Sequence, residues 1–504
     1  MPPQALAAVA TLLSFAPHGN RIDLRLDRGS AELVWVSPSS FRFRRSLEGP
    51  LAAAQAGPHH DGAGENFDLH IEEDPAALRI RSRMLEVTLR KRGLLVTVSR
   101  PGAGVLMADL SEPVAAPGGG VMWERQAPAG VRFYGLGPST HASFDRRGES
   151  VRAQNAFLVS TAGYGEYHPG DGPFQFDFTP ADRYRIEAPA VDYYFLYGGT
   201  PKQIFEQANL VRGPSTVWKV APEGPGTWAT LEASLLRLVQ AAMSGMNEPA
   251  LSLAPWAGAP AELRERVRQA ASLLPEVAAA PLGLSEFRGK LGPFLAAYAV
   301  ELRDRGFPVW HPLPFEFPDD PECARHADEF LLGDEMLVAP IDQPGRQRQV
   351  YLPQGVWTNL ETNAAIPGRR TITADTAGLP VFARNGSIVP LDAGDAVELH
   401  YFPTLAAEFF LLDNHETEWT QVHAAPAADV MRLEIEAKSP RTYHWVVHHV
   451  ERPAGVGFEQ QHYREAPSLD RLADGEWFWD AGRKNLHIRL RTAAGQDAIV
   501  NLEW

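Results

Sequence analysis

The feature that most constrains the fold of this chain is a two-residue hydrophobic alternation that recurs between residues 20 and 215. The segments Arg21–Leu26, Leu85–Arg90 and Gly93–Val98 show it, and a strand with one buried face requires such a pattern. Glycine and proline interrupt these runs at short spacing, which is typical of the turns in a β-sandwich. We therefore predict a β-sandwich for the first part of the chain.

A helical pattern replaces the alternation after residue 200, and strands return later. Thr200 is a favourable N-cap, Pro201 suits the first turn of a helix, and Gly306 is placed to end the last helix of this region. The helices predicted from apolar stripes cover 201–209, 227–243, 260–277 and 285–305. Short strands bounded by turn residues follow Leu331.

Composition excludes several classes of partner. The net charge of −15 argues against nucleic acid and anionic membranes, and no apolar run is long enough to span a bilayer. Cys323 is the single cysteine, which excludes a disulfide framework within the chain and a cysteine-based metal site. The mildly apolar N-terminus lacks the basic start of a signal peptide. We predict a cytoplasmic protein without a metal or another cofactor.

Several blocks of the chain resemble glycoside hydrolase family 31, the family of α-glucosidases and α-xylosidases. The most specific block runs from Arg305–Val309 through Phe315–Pro321 to Leu331–Asp334 and Val338–Pro340. The other blocks with this resemblance are 133–137, 145–148, 191–195, 198–201, 357 and 380–391, with a weaker one at 410–417. The resemblance implies a β-sandwich, then a (β/α)₈ barrel, then two smaller β-domains.

The resemblance also implies the domain borders. We expect a galactose-mutarotase-like β-sandwich at 1–215, a truncated barrel remnant at 216–335, and C-terminal β-domains at 336–395 and 396–504. The predicted fold class is therefore multidomain and mostly β with an α/β part, in which the (β/α) barrel is incomplete.

The predicted barrel is too short to close. Only eight residues separate Trp218, where the front blocks end, from Thr227, where the later blocks begin. The segment 218–335 is near half of the roughly 250 residues that a complete barrel needs. The remnant would have open sheet edges, and such edges need a cover. A homo-oligomer that covers the open barrel edge is our hypothesis.

The family's catalytic nucleophile is missing from the chain. Retaining glycosidases use two carboxyl groups about 5–5.5 Å apart, one as nucleophile and one as acid. The segment Ser244–Pro249 resembles the family's nucleophile motif with Gly245 at the nucleophile position. In a second register, the segment belongs to a later barrel strand, Ser252 replaces an Asp, and Trp256 lies at the end of the motif. Both registers lack the nucleophile and leave Glu248 as a candidate carboxyl.

The family's acid lies five residues before a Thr-Trp tryptophan, which gives Glu223 when counted back from Trp228. A Glu with a raised pKa could protonate a leaving group. The alternative is an exposed loop residue ahead of a helix that Thr227 caps, with proline and glycine forming the turn. Both interpretations stay open, and Asp319 is a further carboxyl considered for catalysis.

Four residues are candidates for substrate binding because they stand at or near positions of the family's sugar contacts. They are Asn155, Ser252, Trp256 and His311. Asn155 replaces an Asp of the family and His311 replaces an Arg, so most of the expected contacts are altered together.

We therefore predict a degenerate, non-hydrolytic relative of family 31 that binds carbohydrate or supports a partner. The alternative is an active α-glycosidase that hydrolyses small α-glucosides or α-xylosides in a rebuilt site. A second alternative is a structural interaction protein.

Overall fold

A computed structural model describes the protein at residues 9–53, 65, 67–213, 217–220, 222–246, 248–274, 285–413, 418–458 and 461–504. Within these described residues, no helix is both long enough and apolar enough to cross a membrane. The end of the predicted helix 260–277 lies outside the described residues.

Antiparallel strands form the N-terminal part, as the alternation predicts. These strands are β1 (Leu12–His18), β2 (Arg21–Leu26), β3 (Ser30–Ser37), β4 (Ser40–Ser46), β5 (His70–Glu73), β6 (Ala77–Arg81), β7 (Glu86–Arg90), β8 (Val96–Ser99), β9 (Val105–Ala108), β10 (Val114–Ala115), β11 (Val121–Gln126), β12 (Phe133–Gly135), β13 (Ser150–Ala153), β14 (Phe157–Ser160), β15 (Tyr164–Tyr167), β16 (Phe174–Asp177), β17 (Arg183–Ala188) and β18 (Val191–Tyr197).

Three sheets organise these strands into a sandwich. The largest has eight strands in the order β1-β2-β3-β4-β18-β15-β14-β12, and two five-stranded sheets run β10-β11-β17-β16-β13 and β5-β6-β7-β8-β9. Trp35, Phe41, Tyr164 and Phe195 are buried in the core of the sandwich. The predicted mostly-β, multidomain fold is confirmed.

Helices dominate the middle of the chain. Its elements are α1 (Pro201–Arg212), β19 (Val217–Val220), α2 (Trp228–Met243), β20 (Glu248–Leu251), α3 (Ala261–Ala271), α4 (Glu286–Lys290) and α5 (Gly292–Arg305). The hydroxyls of Thr200 and Thr227 accept hydrogen bonds from backbone N–H groups of the first turns of α1 and α2. Gly306 ends α5 with a φ of 74°, a left-handed conformation that favours glycine.

Strands β19 and β20 pair in parallel as a two-stranded sheet. Within the described residues, the segment 217–305 thus contributes two parallel strands rather than the eight of a closed barrel. The side chains at 217–220 and at 248–249 lie outside the described part of the structure. The fold therefore does not show what packs against this two-stranded sheet.

The C-terminal part returns to strands. Its elements are β21 (Trp310–Pro312), α6 (Leu313–Glu316), β22 (Phe330–Leu332), β23 (Met336–Val338), β24 (Gln347–Leu352), β25 (Val356–Asn359), β26 (Ala365–Pro367), β27 (Arg370–Asp375), β28 (Val381–Arg384), β29 (Ile388–Asp392), β30 (Val397–Tyr401), β31 (Ala407–Leu412), β32 (Trp419–Pro426), β33 (Val430–Glu436), β34 (Thr442–Val447), β35 (Gly455–Phe458), β36 (Gln461–His462), β37 (Arg464–Glu465), β38 (Glu476–Asp480), β39 (Asn485–Arg491) and β40 (Asp497–Glu503).

The sheet order shows where the C-terminal domains begin and how they are built. Strands β21 and β22 lie in one sheet with β23, β28, β25 and β26, so the proximal sheet starts near Trp310 and crosses the border predicted at residue 335. The distal domain pairs two six-stranded sheets, β29-β30-β34-β39-β38-β37 and β31-β32-β33-β40-β35-β36.

A continuous hydrophobic core joins the helical segment to the distal domain. Phe294 and Tyr298 on α5 pack against Phe409 on β31, with ring centroids 5.8 and 6.4 Å apart. Helix α5 lies along the edge strand β31, and a cleft forms between the helix and the distal domain. This cleft is the candidate functional site.

Candidate functional site

The structure places Glu223 on the surface. Its side chain is 81% exposed and forms an ion pair with Arg237. An exposed, paired carboxyl lacks the burial that raises the pKa of a catalytic acid. The assignment of Glu223 as an acid stays a prediction, and its surroundings favour the alternative interpretation as a loop residue before α2.

Asn155 and Gly245 lie together, and both are engaged by the protein itself. The Nδ2 of Asn155 donates a hydrogen bond of 2.7 Å to the carbonyl of Ser244. Gly245 has a φ of 68°, and a Cβ added there would lie 2.5 Å from the Arg212 guanidinium. A side chain at Gly245 would require the Arg212 guanidinium to move, and the positive φ disfavours residues other than glycine. Whether Gly245 stands at the nucleophile position stays a prediction.

Trp256 is fully buried and donates from Nε1 to the carbonyl of Thr227 at 3.2 Å. This bond fixes the start of α2, the helix that follows Glu223. Ser252 is exposed after β20, and Glu248 lies within β20, where its side chain is outside the described residues. Trp256 thus acts as packing for the loop that carries Glu223, and its ring is not open to a ligand.

His311 belongs to a separate, buried charge cluster. Its Nδ1 lies 2.8 Å from Glu316 Oε1 and 3.2 Å from Asp334 Oδ1. The Lys202 ammonium lies 2.7 Å from the same Glu316 oxygen and 2.8 Å from Asp334. The two cations and two carboxylates neutralise one another where α1, α6 and the β22–β23 turn meet.

The pKa values of this cluster follow from opposed effects. Burial alone would lower the pKa of His311, but hydrogen bonds and attraction to Asp334 and Glu316 outweigh it and raise the pKa to about 9. Burial would raise the pKa of Asp334, but His311 and Lys202 hold it far below its usual range. His311 is thus a buried cation paired with two carboxylates of the protein, and its assignment to substrate binding stays a prediction.

A cleft of about 480 Å³ lies between α5 and the β31–β32 hairpin. We call it the aromatic cleft, and its lining is Ala297, Tyr298, Val300, Glu301, Asp304, Arg305, Asp334, Glu335, Glu408, Phe409, Phe410 and Trp419. Its volume lies within the range of about 300–1,000 Å³ that small-molecule sites occupy.

The aromatic wall of this cleft arises from strand register. Leu412 pairs with Trp419 across β31 and β32, and Phe410 lies two residues before Leu412. Since side chains alternate along a strand, Phe410 and Trp419 project from the same face as diagonal neighbours. Phe410 is 45% exposed and Trp419 is half-buried, so the hairpin presents apolar ring surface to solvent.

The opposite wall is polar. Glu335 is buried, and its Oε2 accepts hydrogen bonds from the Tyr298 hydroxyl at 2.7 Å and from the Asp334 backbone N–H at 3.0 Å. Burial, reinforced by the charge of Asp334, raises the pKa of Glu335 to about 8. At neutral pH this side chain is mostly protonated, and the cleft therefore holds both a carboxylic acid and carboxylates.

A second cleft, of about 750 Å³, contains Asp319. Asp319 is exposed, while the neighbouring Asp320 accepts a hydrogen bond of 2.7 Å from the Tyr351 hydroxyl. The guanidinium of Arg384 lies 5.1 Å above the ring of Phe317 and covers it. This cleft has polar groups but presents little free aromatic surface.

Sequence reasoning missed the aromatic cleft. Trp310 is fully buried against Phe330, with ring centroids 4.0 Å apart, and Trp477 is also buried. One sequence signal pointed to the cleft. The alternation of strand β31 places the apolar ring of Phe410 on the same outward face as Glu408. An apolar ring at such a position marks a binding surface only once its neighbours are known.

Comparison with known proteins agrees with this architecture. Residues 306–389 match the glycosyl hydrolase family 31 C-terminal domain. The α-glucosidase of Saccharolobus solfataricus is 37% identical over 112 residues, which cover 22% of this chain and 16% of that protein. The isomaltosyltransferase of Sporosarcina globispora is 23% identical over 235 residues, or 42% of this chain and 21% of that protein. The matches thus span about a fifth or less of these relatives' lengths.

Solved structures extend the similarity to the whole fold. A Flavobacterium johnsoniae GH31 dextranase complexed with isomaltotriose has a TM-score of 0.85 at 15% identity, covering 99% of this chain and 100% of that one. The cycloalternan-forming enzyme of Listeria monocytogenes has a TM-score of 0.81 at 14% identity, covering 98% and 77%. The chain thus has the multidomain, mostly β fold of these solved structures. More specifically, the chain is a relative of glycoside hydrolase family 31.

Proposed function

We propose that the protein binds carbohydrate in the aromatic cleft and does not hydrolyse it. The observation that carries the proposal is the exposed pair of rings, Phe410 and Trp419, in a cleft whose lining also includes carboxyl groups. The apolar faces of a sugar ring pack on aromatic rings, and sugar hydroxyls bond to carboxylates through strong, charge-assisted hydrogen bonds. The named carbohydrate activities of the relatives support a ligand of this class.

The proposal that the protein binds without hydrolysis rests on the residues that stand where the resemblance places the family's catalytic carboxyls. Gly245 and Ser252 carry no carboxyl group, and Glu223 is exposed and paired with Arg237. A glycosidase needs one ionised and one protonated carboxyl on the two sides of the scissile bond. The described surroundings of these residues do not favour such a pair.

A hydrolytic function is the second candidate, and one observation favours it. Asp334 is ionised and Glu335 is mostly protonated at neutral pH, and both line the aromatic cleft. Against it, Asp334 uses both carboxylate oxygens to bind Lys202, and Glu335 uses one to bind Tyr298. These bonds restrict either group from reaching an anomeric carbon.

Calorimetric titration with isomaltotriose, maltotriose and xylotriose tests binding, and chromatography of the recovered sugar tests hydrolysis. Phe410→Ala and Trp419→Ala should each weaken binding about tenfold, or ~1.4 kcal/mol, because each removes half of the aromatic wall. Val105→Ala is the matched control, since Val105 is an exposed apolar residue on a strand of the N-terminal sandwich. Equal loss in the control, or turnover abolished by Glu335→Gln, would favour another account.

A further inference from the structure

The aromatic cleft has an unbalanced charge. Its lining includes five carboxyl side chains, those of Glu301, Asp304, Asp334, Glu335 and Glu408, and one guanidinium, that of Arg305. Glu335 is mostly protonated at neutral pH, so the charge of the cleft depends on how the other four carboxylates are paired.

Protein cations already neutralise three of the five carboxyls. Arg305 bonds to Glu301 and Arg303 bonds to Asp304, while Lys202 bonds to Asp334. Arg305 also contacts Glu206, a carboxyl outside the lining. The cations around the cleft are therefore already engaged with acidic partners of their own.

Glu408 and Glu335 remain without a cationic partner among the described residues. Glu408 accepts one hydrogen bond of 3.3 Å, from Gln421, and Glu335 has only the two bonds to its Oε2. Glu408 lies two residues before Phe410 on β31, so the carboxylate and the ring share one face of the strand. A ligand seated on the ring thus lies beside a free negative charge.

We propose that the ligand of this cleft is an amino sugar with a free, protonated amine, an inference that rests on the proposed carbohydrate binding. The pyranose ring packs on Phe410 and Trp419, and the ammonium pairs with Glu408. An ammonium over an aromatic face gains cation–π attraction as well. Acetylation of the amine removes the charge, and a uronic acid brings a second negative charge into an acidic cleft.

The test is calorimetric titration of the full chain with four ligands at low and high salt. The ligands are the trimer of glucosamine, the trimer of N-acetylglucosamine, isomaltotriose, and putrescine, which has ammonium groups but no ring. We expect the glucosamine trimer to bind about tenfold tighter than the other three. High salt should reduce this preference.

Glu408→Gln should bring the glucosamine trimer to the affinity of isomaltotriose. Asp470→Asn is the control, because Asp470 is an exposed carboxyl of the same domain outside the β31–β32 sheet. Equal binding of amino and neutral sugars, an unchanged preference in Glu408→Gln, or equal binding of putrescine would overturn the amino-sugar inference while leaving carbohydrate binding intact. No binding of any sugar would overturn the proposed function itself. Salt dependence provides the same test without a variant.

Discussion

Both carboxylate oxygens of Asp334 accept hydrogen bonds from the Lys202 ammonium, at 2.8 and 2.9 Å. Lys202 lies in the first turn of α1, directly after the sandwich, and Asp334 lies in the turn between β22 and β23. The pair thus links the N-terminal sandwich to the wall of the aromatic cleft. Because Asp334 also borders Glu335, the link sets the electrostatics of the cleft.

Lys202→Met should destabilise the fold by about 2–4 kcal/mol, because it removes one of the two cations that pair with the partly buried carboxylates of Asp334 and Glu316 and leaves only His311. Lys484→Met is the matched control, since the pair of Lys484 with Glu451 is well exposed and exposed pairs contribute less than about 1 kcal/mol. Chemical denaturation measures both changes. Similar losses in the two variants would contradict a structural role for Lys202.

His311 should make the protein less stable at alkaline pH. Its pKa is about 9 in the folded state and near 6.5 when unfolded, so folding favours the protonated form. This contribution, about 3 kcal/mol, is complete below pH ~6.5 and is lost as the pH rises through 9. The free energy of unfolding, followed from pH 6 to 10, should fall less steeply in His311→Gln.

The distal domain should lose stability as the solution becomes acidic. Burial, with the neighbouring His444 and His400, lowers the pKa of His487 to about 4, and His448 is lowered too. The folded state therefore binds fewer protons than the unfolded state, and stability is lost as the pH falls from about 6.5 to 4. His487→Gln should flatten this limb of the stability curve by about 3 kcal/mol; an unchanged limb would contradict the assignment.

Sequence reasoning succeeded where local chemistry decides the structure. Thr200 and Thr227 cap their helices and Gly306 ends α5, as predicted, because each acts on its own neighbours. The predicted helix 285–305 is divided at Leu291, where α4 ends and α5 begins, since a stripe of apolar residues does not reveal a local break.

The candidate site could not be predicted because its properties come from distant contacts. Burial and the charge of Asp334 raise the pKa of Glu335 against the effect of the hydrogen bond from Tyr298. Phe410 is exposed because it faces away from the Phe409 side of β31, on which α5 packs. Trp256, which the resemblance places near a sugar contact, is fully buried, a property that its position in the sequence does not reveal.

The hypothesis of a homo-oligomer is a further prediction. Parallel strands occur almost only in sheets covered on both faces, and β19 and β20 form a two-stranded parallel sheet within the described residues. We expect sedimentation equilibrium at micromolar concentration to give a mass of two chains, near twice 55.3 kDa. A mass of one chain would remove this hypothesis without affecting the aromatic cleft.

The most direct test of the central claim is the fate of a bound oligosaccharide. The protein is saturated with isomaltotriose or the glucosamine trimer, incubated, and the bound and free sugars are identified by mass spectrometry. The account predicts saturable binding that Trp419→Ala weakens and complete recovery of the intact trimer. Accumulation of monomer and dimer, abolished by Glu335→Gln or Glu223→Gln, would contradict it.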